Sequence, residues 1–365
     1  MNKRCIALSL LAGLVVLASV SLAGTAFAQD SSSGPRPMFT RLPARQATGA
    51  QPPVSLQTFT HTWDFVGDGG NESVTMVGTD PTSTNTTTTV PIFIIPIEVV
   101  FTIKNKKTIF NPNHKLSDGN TVIQNTINSP IFQSGVDFKQ GGTDLGNTQY
   151  EDAWSRGDFW TSVMTNTNWH VLLGQPTVLP LQILKVPSAD GTVVKNPFGT
   201  GNVGIIDINW FDPQLQTIMK KLTQIQPNSF PIFELYDTYL SFNNGVSGCC
   251  IGGYHSATGS QTYTQFDYED AVGSFSQDVS ALSHETGEWL ADPFVNTPGC
   301  GGLLEVGDPL EGEANYGGYP YTLNGFTYNL QDLVFLKYFG QSPATSVNSW
   351  ETFQGTTLST CQNGQ

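Results

Sequence analysis

The sequence predicts an α+β fold in which a β-rich platform precedes one distinctive helix in the C-terminal part. Beyond residue 60 the chain is dominated by Thr, Val, Ile, Phe, Asn and Gly, which favour strands and turns. Only 13% of its 365 residues are charged, too few for a cytosolic helical bundle or a coiled coil. Strand-like segments also flank a helical one between residues 204 and 236, an order typical of layered α+β cores rather than pure sandwiches.

The first 28 residues have the organisation of a secretory signal peptide. Lys3 and Arg4 precede an apolar run from Ile6 to Leu22, and Ala26-Phe27-Ala28 supplies the small residues of a cleavage site. The alternative is an uncleaved membrane anchor. We therefore expect a secreted protein, extracellular or periplasmic, with no membrane association after cleavage. The formal net charge of −14 also argues against binding to nucleic acid.

The rest of the chain divides into three predicted regions. Residues 29–60 are rich in Ser, Pro, Gln and Arg, which predicts a flexible N-terminal segment or a prosegment. Residues 61–245 form the β-rich region. Its strongest strand signal runs from Val90 to Ile103, where two prolines favour an edge or bulged strand. Residues 246–365 form the C-terminal region that carries the candidate site.

Helical patterns are fewer in the β-rich region. Aromatic and small apolar residues recur at helical spacing between Tyr150 and Val163. A second helix is predicted to begin at Asp212-Pro213, because Asp is a good N-cap and Pro suits the first helical position. Buried strands are predicted on either side of it, at 204–210 and 230–236.

The most informative segment runs from Ser276 to Pro293. Ser276 can cap a helix over about residues 277–291, and Pro293 ends it. At about 100° per residue, His284 and Glu288 fall opposite the apolar arc of this helix. Residues four apart on a helix lie within about 6 Å of each other, so this imidazole and carboxylate can hold one cation. The alternative is a solvated polar face.

Zinc is the expected metal, because Zn²⁺ accepts both imidazole nitrogen and carboxylate oxygen. Glu285, beside the first ligand, would act as general base on a metal-bound water, as in H-E-x-x-H metallopeptidases. Here the motif reads H-E-x-x-E, with Glu288 where those peptidases have their second histidine. Glu305 is the expected third ligand. Asp308 either joins the ligands or orients His284.

Two further residues bear on this predicted zincin-like helix. His255 lies in a glycine-flanked segment, where it can act as a ligand or as an electrophilic hydrogen-bond donor in catalysis. A lone histidine is, however, more often structural. Gly287 lies inside the helix, where glycine costs about 1 kcal/mol relative to alanine. Its presence predicts that another part of the chain packs closely against it.

Four cysteines remain once residues 1–28 are removed, namely Cys249, Cys250, Cys300 and Cys361. An even number in an oxidising compartment predicts two disulfides. A bond between the adjacent Cys249 and Cys250 is expected to be strained, so each is predicted to pair with a distant partner. A thiolate metal site is the alternative, although no pair has chelating spacing.

Several motifs occur in a fixed order: residues 148–160, Tyr254-His255, residues 281–293, Glu305-Val-Gly-Asp308 and Tyr328-Asn329. Their order resembles that of the plant phosphate-induced (EXORDIUM-like) secreted proteins and of bacterial relatives. The resemblance implies secretion and a metallopeptidase-like helix. It places the family's matching positions at His255, His284, Glu285, Glu288, Glu305 and Asp308. The sequence departs from that pattern at Leu310, where the family usually has cysteine, and at Thr286-Gly287, which replaces Leu-Ala.

The function expected from these residues is that of a secreted metal-dependent hydrolase resembling a zinc peptidase. Zinc would be held by His284, Glu288 and Glu305, and the substrate would be a peptide or a cell-wall polymer. The alternative is a non-catalytic secreted protein that binds the cell wall or carbohydrate and keeps the helix as a structural remnant.

Overall fold

The computed structural model describes residues 35–46, 54–65, 70–243, 245–299, 302–358 and 361. These residues belong to one compact unit, Gly34–Gln365. Strand outweighs helix, 41% against 19%, so the class is the β-rich α+β one that the sequence predicts. The predicted signal peptide lies outside the described residues. Within them, no helix has the length and apolar character needed to cross a membrane.

The helices and strands are numbered in chain order. The α-helices are α1 (Val122–Asn128), α2 (Tyr150–Asp158), α3 (Trp160–Val163), α4 (Ile208–Lys221) and α5 (Ser280–Ala291). The strands are β1 (Met38–Arg41), β2 (Thr58–Phe65), β3 (Asn71–Val77), β4 (Thr87–Val90), β5 (Ile92–Ile103), β6 (Lys106–Phe110), β7 (Val136–Gln140), β8 (Thr143–Thr148), β9 (His170–Leu173), β10 (Thr177–Val178), β11 (Gln182–Val186), β12 (Gly191–Lys195), β13 (Asn202–Asp207), β14 (Phe230–Tyr236), β15 (Thr238–Ser241), β16 (Cys249–Thr258), β17 (Gln261–Tyr268), β18 (Pro298–Gly299), β19 (Gly302–Leu303), β20 (Gly318–Leu323), β21 (Phe326–Gln331) and β22 (Gln341–Ser342).

Eleven strands form one mixed sheet, whose main path runs β10-β5-β14-β17-β16-β15-β13-β12. Strand β1 pairs with β16, and β6 and β11 pair with β5. Strands β5, β14 and β17 are parallel neighbours, whereas β16 is antiparallel to β17. The regions predicted as 61–245 and 246–365 therefore build this sheet jointly. Smaller sheets are β22-β2-β3, β4-β9, β7-β8, β18-β19 and β20-β21.

The main sheet is buried on both faces. Along β14, Phe230 and Ile232 belong to one apolar cluster, whereas Phe233 and Leu235 belong to another, because successive side chains of a strand point to opposite faces. The first cluster includes residues of α2 and α5, and the second includes residues of α4. Helix α5, the predicted site helix, thus packs on β16 and β17 from one side of the sheet.

The strand predicted at 90–103 is correct in its extent but wrong in its place. It begins at Ile92 after Pro91 interrupts the chain, and it lies inside the sheet rather than at an edge or a bulge. Its outer partner changes from β10, which pairs at Phe93 and Ile94, to β11, which pairs from Ile97 onwards. Pro96 falls between these two partners, so its missing N–H interrupts no continuous ladder on that side.

The two helical predictions need small corrections. The segment 150–163 forms two short helices, α2 and α3. Helix α4 begins at Ile208 rather than at Asp212, because Asp207 accepts a hydrogen bond from the backbone N–H of Asn209 and caps the helix there. Pro213 therefore lies inside the helix. The strand predicted at 204–210 ends correspondingly early, at Asp207.

Part of the segment predicted to be flexible, 29–60, belongs to the main sheet. Strand β1 pairs in parallel with β16, and Met38 lies opposite Ile251. The N–H of Arg45 donates to the carbonyl of Ala257 over 2.7 Å. Phe39 is only 6% exposed. Composition alone does not reveal this pairing, because the partner strand lies far away in the sequence.

The cysteine prediction is also corrected. Cys249 and Cys250 form a disulfide with each other, although each was expected to pair with a distant partner. The peptide bond that joins them is cis, and their Cα atoms lie 3.0 Å apart. Cys361 is disulfide-bonded as well. Cys300, the fourth cysteine after residue 28, lies outside the described residues.

Glu234 of β14 gives a prediction about stability and pH. Its side chain is 0% exposed; Oε1 accepts a hydrogen bond from Thr126, whereas Oε2 has no partner. Burial raises the pKa of Glu234 from 4.5 to about 8. Between these pH values only the unfolded chain loses the proton, so this residue makes stability fall with rising pH, by at most about 1.4 kcal/mol per pH unit.

We therefore expect Glu234→Gln to raise the Tm relative to the wild type at pH 9 by more than it does at pH 4. Thermal unfolding at the two pH values measures this difference. Glu313→Gln, at an exposed position, is the matched control and should leave the pH dependence unchanged. Equal effects of Glu234→Gln at both pH values would contradict the raised pKa.

Candidate metal centre

Helix α5 places His284, Glu285 and Glu288 in the interior. The helix begins at Ser280 with Val279 as its N-cap, because the predicted cap, Ser276, donates its hydroxyl to the carbonyl of Asp267 instead. All twelve residues of α5 are buried. The alternative of a solvated polar face is therefore wrong: the sheet covers one side, and β21 with the loop after β19 covers another.

His284 lies between two carboxylates and an amide. Its Nε2 is 3.0 Å from Oε1 of Glu288 and 3.5 Å from Oδ1 of Asp308. Its Nδ1 is 2.7 Å from Oε1 of Gln331, whose amide also donates to the carbonyl of Gly307. The ring of His284 therefore has a fixed orientation. Gln331 could not be predicted from the sequence, because a glutamine 47 residues from its partner carries no spacing signal.

His255 approaches the same cluster from β16. Its Nδ1 is 3.1 Å from Oε2 of Glu285 and 3.5 Å from Oε2 of Glu288. The two carboxylate oxygens of Glu288 thus face two different buried imidazoles, with His284 at Oε1 and His255 at Oε2. The prediction left the place of His255 open, and the structure brings it into the centre.

The predicted site residues converge, but in a different grouping from the predicted triad. Around α5, three sets have ligand atoms within 4.8 Å of one another: His255-Glu288-Glu305, His284-Glu285-Glu288 and His284-Asp308-Glu311. Glu305 thus groups with His255 and Glu288, and not with His284 as predicted. Glu311 was missed, although its position three residues after Asp308 could have indicated a shared turn.

The buried atoms of this cluster fit a cation. The side chains of His255, His284, Glu285 and Glu288 are 0–1% exposed, and that of Glu305 is 5% exposed. Five nitrogen and oxygen atoms are buried without a hydrogen bond: Nε2 of both histidines, Oε1 of Glu285 and both oxygens of Glu305. Two of them, Nε2 of His284 and Oε1 of Glu305, lie only at ion-pair distance from Glu288 and Arg41. Buried polar atoms without a hydrogen bond are costly, and zinc accepts both donor types.

Opposite charges set the ionisation of the central groups. Burial lowers the pKa of His284, but Glu288 and Asp308 outweigh it and hold this pKa well above 6.5. The pKa of His255 is also held well above 6.5, because Glu285 and Glu288 outweigh the lowering effect of burial. Burial would raise the pKa of Glu288, yet the two histidines keep it below its usual range. Glu288 is therefore the fixed negative charge at the middle of the cluster.

The other carboxylates have raised pKa values. Burial raises the pKa of Glu285 to about 7, against the lowering effect of His255. Burial and then the charge of Glu288 raise the pKa of Glu305 well above 4.5. The pKa of Asp308 is raised by the same two causes. Near neutral pH, Glu285 can therefore both accept and release a proton.

Strand β1 covers this cluster. The ring centroid of Phe39 lies 4.1 Å from that of His284, and the N–H of Phe39 donates to Glu311 over 2.6 Å. Nε of Arg41 lies 3.2 Å from Oε1 of Glu305, and its Nη1 lies 3.9 Å from Oδ2 of Asp308. The side chains of Arg41 and Asp308, 20% and 36% exposed, form the edge of the cluster that meets solvent.

Two glycines allow the close packing around α5. A Cβ at Gly287 would lie 2.4 Å from a methyl carbon of Leu333, as the predicted crowding requires. A Cβ at Gly307 would lie 2.4 Å from Nδ1 of His284. The loop that carries Glu305 and Asp308 can therefore touch the imidazole only because residue 307 has no side chain.

No family model, no curated protein and no solved structure matches this chain. The resemblance to the phosphate-induced proteins therefore stays a prediction.

We expect Gly307→Ala to lower the Tm by about 2–6 °C, because overpacking of this kind costs about 1–3 kcal/mol. Gly312→Ala in the same loop region is the matched control, since a Cβ there meets nothing within 4 Å. Thermal unfolding of both variants checks the expectation. If Gly307→Ala unfolds at the temperature of Gly312→Ala, the contact with His284 is not tight.

Proposed function

We propose that this protein is a secreted zinc-dependent hydrolase of the zinc-peptidase type, with its metal held beside Glu288. The observation that carries the proposal is the position of Glu288, whose two carboxylate oxygens face two buried imidazoles. The signal-peptide pattern in residues 1–28 supports export.

His255, Glu288 and Glu305 are the proposed zinc ligands, because their ligand atoms lie within 4.8 Å of one another. Three protein ligands leave one position of a tetrahedral zinc free, as catalytic sites require. His284 then orients Glu288 from its other oxygen, and Gln331 fixes the ring of His284. In this assignment His255 takes the ligand position that the sequence gave to His284.

Zinc held there would supply a Lewis acid that polarises a carbonyl group and lowers the pKa of water. Glu285 is the proposed general base. Its Oε1 is buried without a hydrogen bond, and its Oε2 is held by His255. A carboxyl group with a pKa of about 7 can accept a proton from water and return it to a leaving amine near neutral pH.

A peptide or a cell-wall polymer is the proposed substrate. It would approach from the edge formed by Arg41 and Asp308, where the side chains of the cluster meet solvent. The guanidinium group of Arg41 lies at ion-pair distance from two carboxylates there. Arg41 can therefore interact with a substrate carbonyl or carboxylate that comes close to the centre.

The burial of the cluster favours a second candidate function. Because His255, His284, Glu285 and Glu288 are 0–1% exposed, the centre can instead be a closed structural site. Closed zinc sites have four protein ligands and contribute to stability rather than to catalysis. The protein would then be a non-catalytic secreted protein that binds the cell wall or carbohydrate.

Metal analysis of the mature chain tests the ligand assignment. We expect about one zinc per chain in the wild type and in the control Glu313→Gln, and none in Glu288→Gln or His255→Ala. His284→Ala should keep zinc with an affinity lowered about 10- to 100-fold, as is typical of residues that orient a ligand. Zinc retained in Glu288→Gln, or none in the wild type, would refute the centre.

Hydrolysis of a casein-like substrate tests the proposed base. We expect Glu285→Gln to keep zinc and the wild-type Tm but to lose at least about 100-fold in kcat, the contribution typical of general bases. Undiminished cleavage by Glu285→Gln would remove Glu285 from the mechanism. A zinc-loaded wild type that cleaves neither casein nor cell-wall polymers would favour the second candidate function.

A further inference from the structure

A second cluster of acidic side chains lies where two parallel strands end. Asp237 follows β14, whereas Asp267 is near the end of β17, and Glu269 and Asp270 follow that strand. Because β14 and β17 are parallel neighbours, their carboxyl ends meet at the same edge of the sheet, where ligands of α/β sheets commonly bind. Carboxylate oxygens of Asp237, Glu269 and Asp270 lie within 4.8 Å of one another.

Asp267 adds an independent observation. Its side chain is 0% exposed, and its Oδ1 accepts a hydrogen bond from the N–H of Thr238, the residue after Asp237. Its Oδ2 is buried without any hydrogen bond, and so is Oδ1 of Asp237. Burial, and then the negative charge of Glu269, raise the pKa of Asp267 well above 3.8. Since Thr238 directly follows Asp237, its hydrogen bond places the carboxyl group of Asp267 beside the acidic cluster.

Among the described residues, no Lys, Arg or His forms an ion pair with any of these four acids. Asp267 and Glu269 are buried, Asp237 is half-buried and Asp270 is exposed. Neighbouring carboxylates without a cation repel one another, and the buried ones lack the solvation that water gives. Neighbouring groups nevertheless hold them in place. Glu269 accepts hydrogen bonds from Asn196, Tyr239 and the N–H of Ala271, and Asp270 accepts one from Tyr236.

A cavity of about 280 Å³ adjoins the cluster. Glu269 and Asp270 line it, together with Asp118 and Asp278. The cavity has room for several water molecules. It can therefore give a cation a path to the cluster and the water ligands that complete its coordination.

We propose that Asp237, Asp267, Glu269 and Asp270 bind one calcium ion. All of these ligands are carboxylate oxygens, which Ca²⁺ prefers, whereas zinc sites use nitrogen or sulfur as well. Calcium tolerates irregular arrangements of six to eight oxygens, while Mg²⁺ demands near-ideal octahedral geometry. The acids come from different chain segments, so the ion would join the ends of β14 and β17. The proposal does not depend on the zinc hydrolase.

Calcium titration of the full mature chain tests this site, followed by calorimetry and by thermal unfolding. Extracellular calcium modules have a Kd of about 10⁻⁴–10⁻³ M. We therefore expect a few millimolar CaCl₂ to raise the Tm of the wild type by about 2–4 °C. MgCl₂ at the same concentration should raise it by less than half as much.

Two substitutions make the test specific. Asp267→Asn and Asp237→Asn should each abolish the calcium-dependent rise in Tm, while their calcium-free Tm equals or exceeds that of the wild type, because a repelling charge is removed. The exposed control Asp64→Asn should respond to calcium as the wild type does. His255→Ala should also respond fully, which separates this site from the proposed zinc centre.

Three results would overturn the proposal: no heat and no Tm shift in the wild type, an undiminished shift in both Asp variants, or an equal response to Mg²⁺. If Asp267→Asn does not fold, Asp237→Asn decides the outcome alone, since its side chain is less deeply buried.

Discussion

The arrangement around α5 depends on the compensation of charge in a place that water does not reach. Glu288 is 1% exposed, and each of its oxygens is matched by a different imidazole. Removing one partner from such a group leaves a buried charge uncompensated, which costs far more than the loss of a surface ion pair. The positions of His255 on the sheet and of Asp308 on its loop are therefore constraints on the whole fold. These contacts hold helix α5, strand β16 and the loop of Asp308 around His284 and Glu288.

Close packing makes this compensation geometrically feasible. The sheet, the helix and the loop meet with almost no space between them, and glycine occupies the points of nearest approach at 287 and 307. Gly287 lowers the intrinsic stability of the helix, but it allows Leu333 to pack closely against it. The sheet has a similar unfavourable feature, because β14 is apolar on both faces except for one buried acid, Glu234. In both places, burying a polar group in the interior is accompanied by a local loss of stability.

The sequence was informative where one segment carries its own signal. The buried strand at Phe230–Tyr236 and the site helix could be predicted from periodicity, and the close contact at Gly287 from its helix propensity. It was not informative where two distant segments meet. The grouping of Glu305 with His255, the hydrogen bond from Gln331 and the pairing of β1 all depend on tertiary contacts. For the same reason, the sequence left open whether the polar face of the site helix meets solvent, and only the structure shows that the whole helix is buried.

The pairing of β1 with β16 has a consequence for the order of assembly. Its residues lie more than 200 positions apart in the chain, so the entropy of closing that loop must be lost before the pairing gives any stability. During synthesis the amino-terminal strand is made first, yet its partner strand does not exist until the distal half of the chain has been made. Arg41, which meets Glu305 across this long separation, consequently reaches its carboxylates only in the last stages of folding.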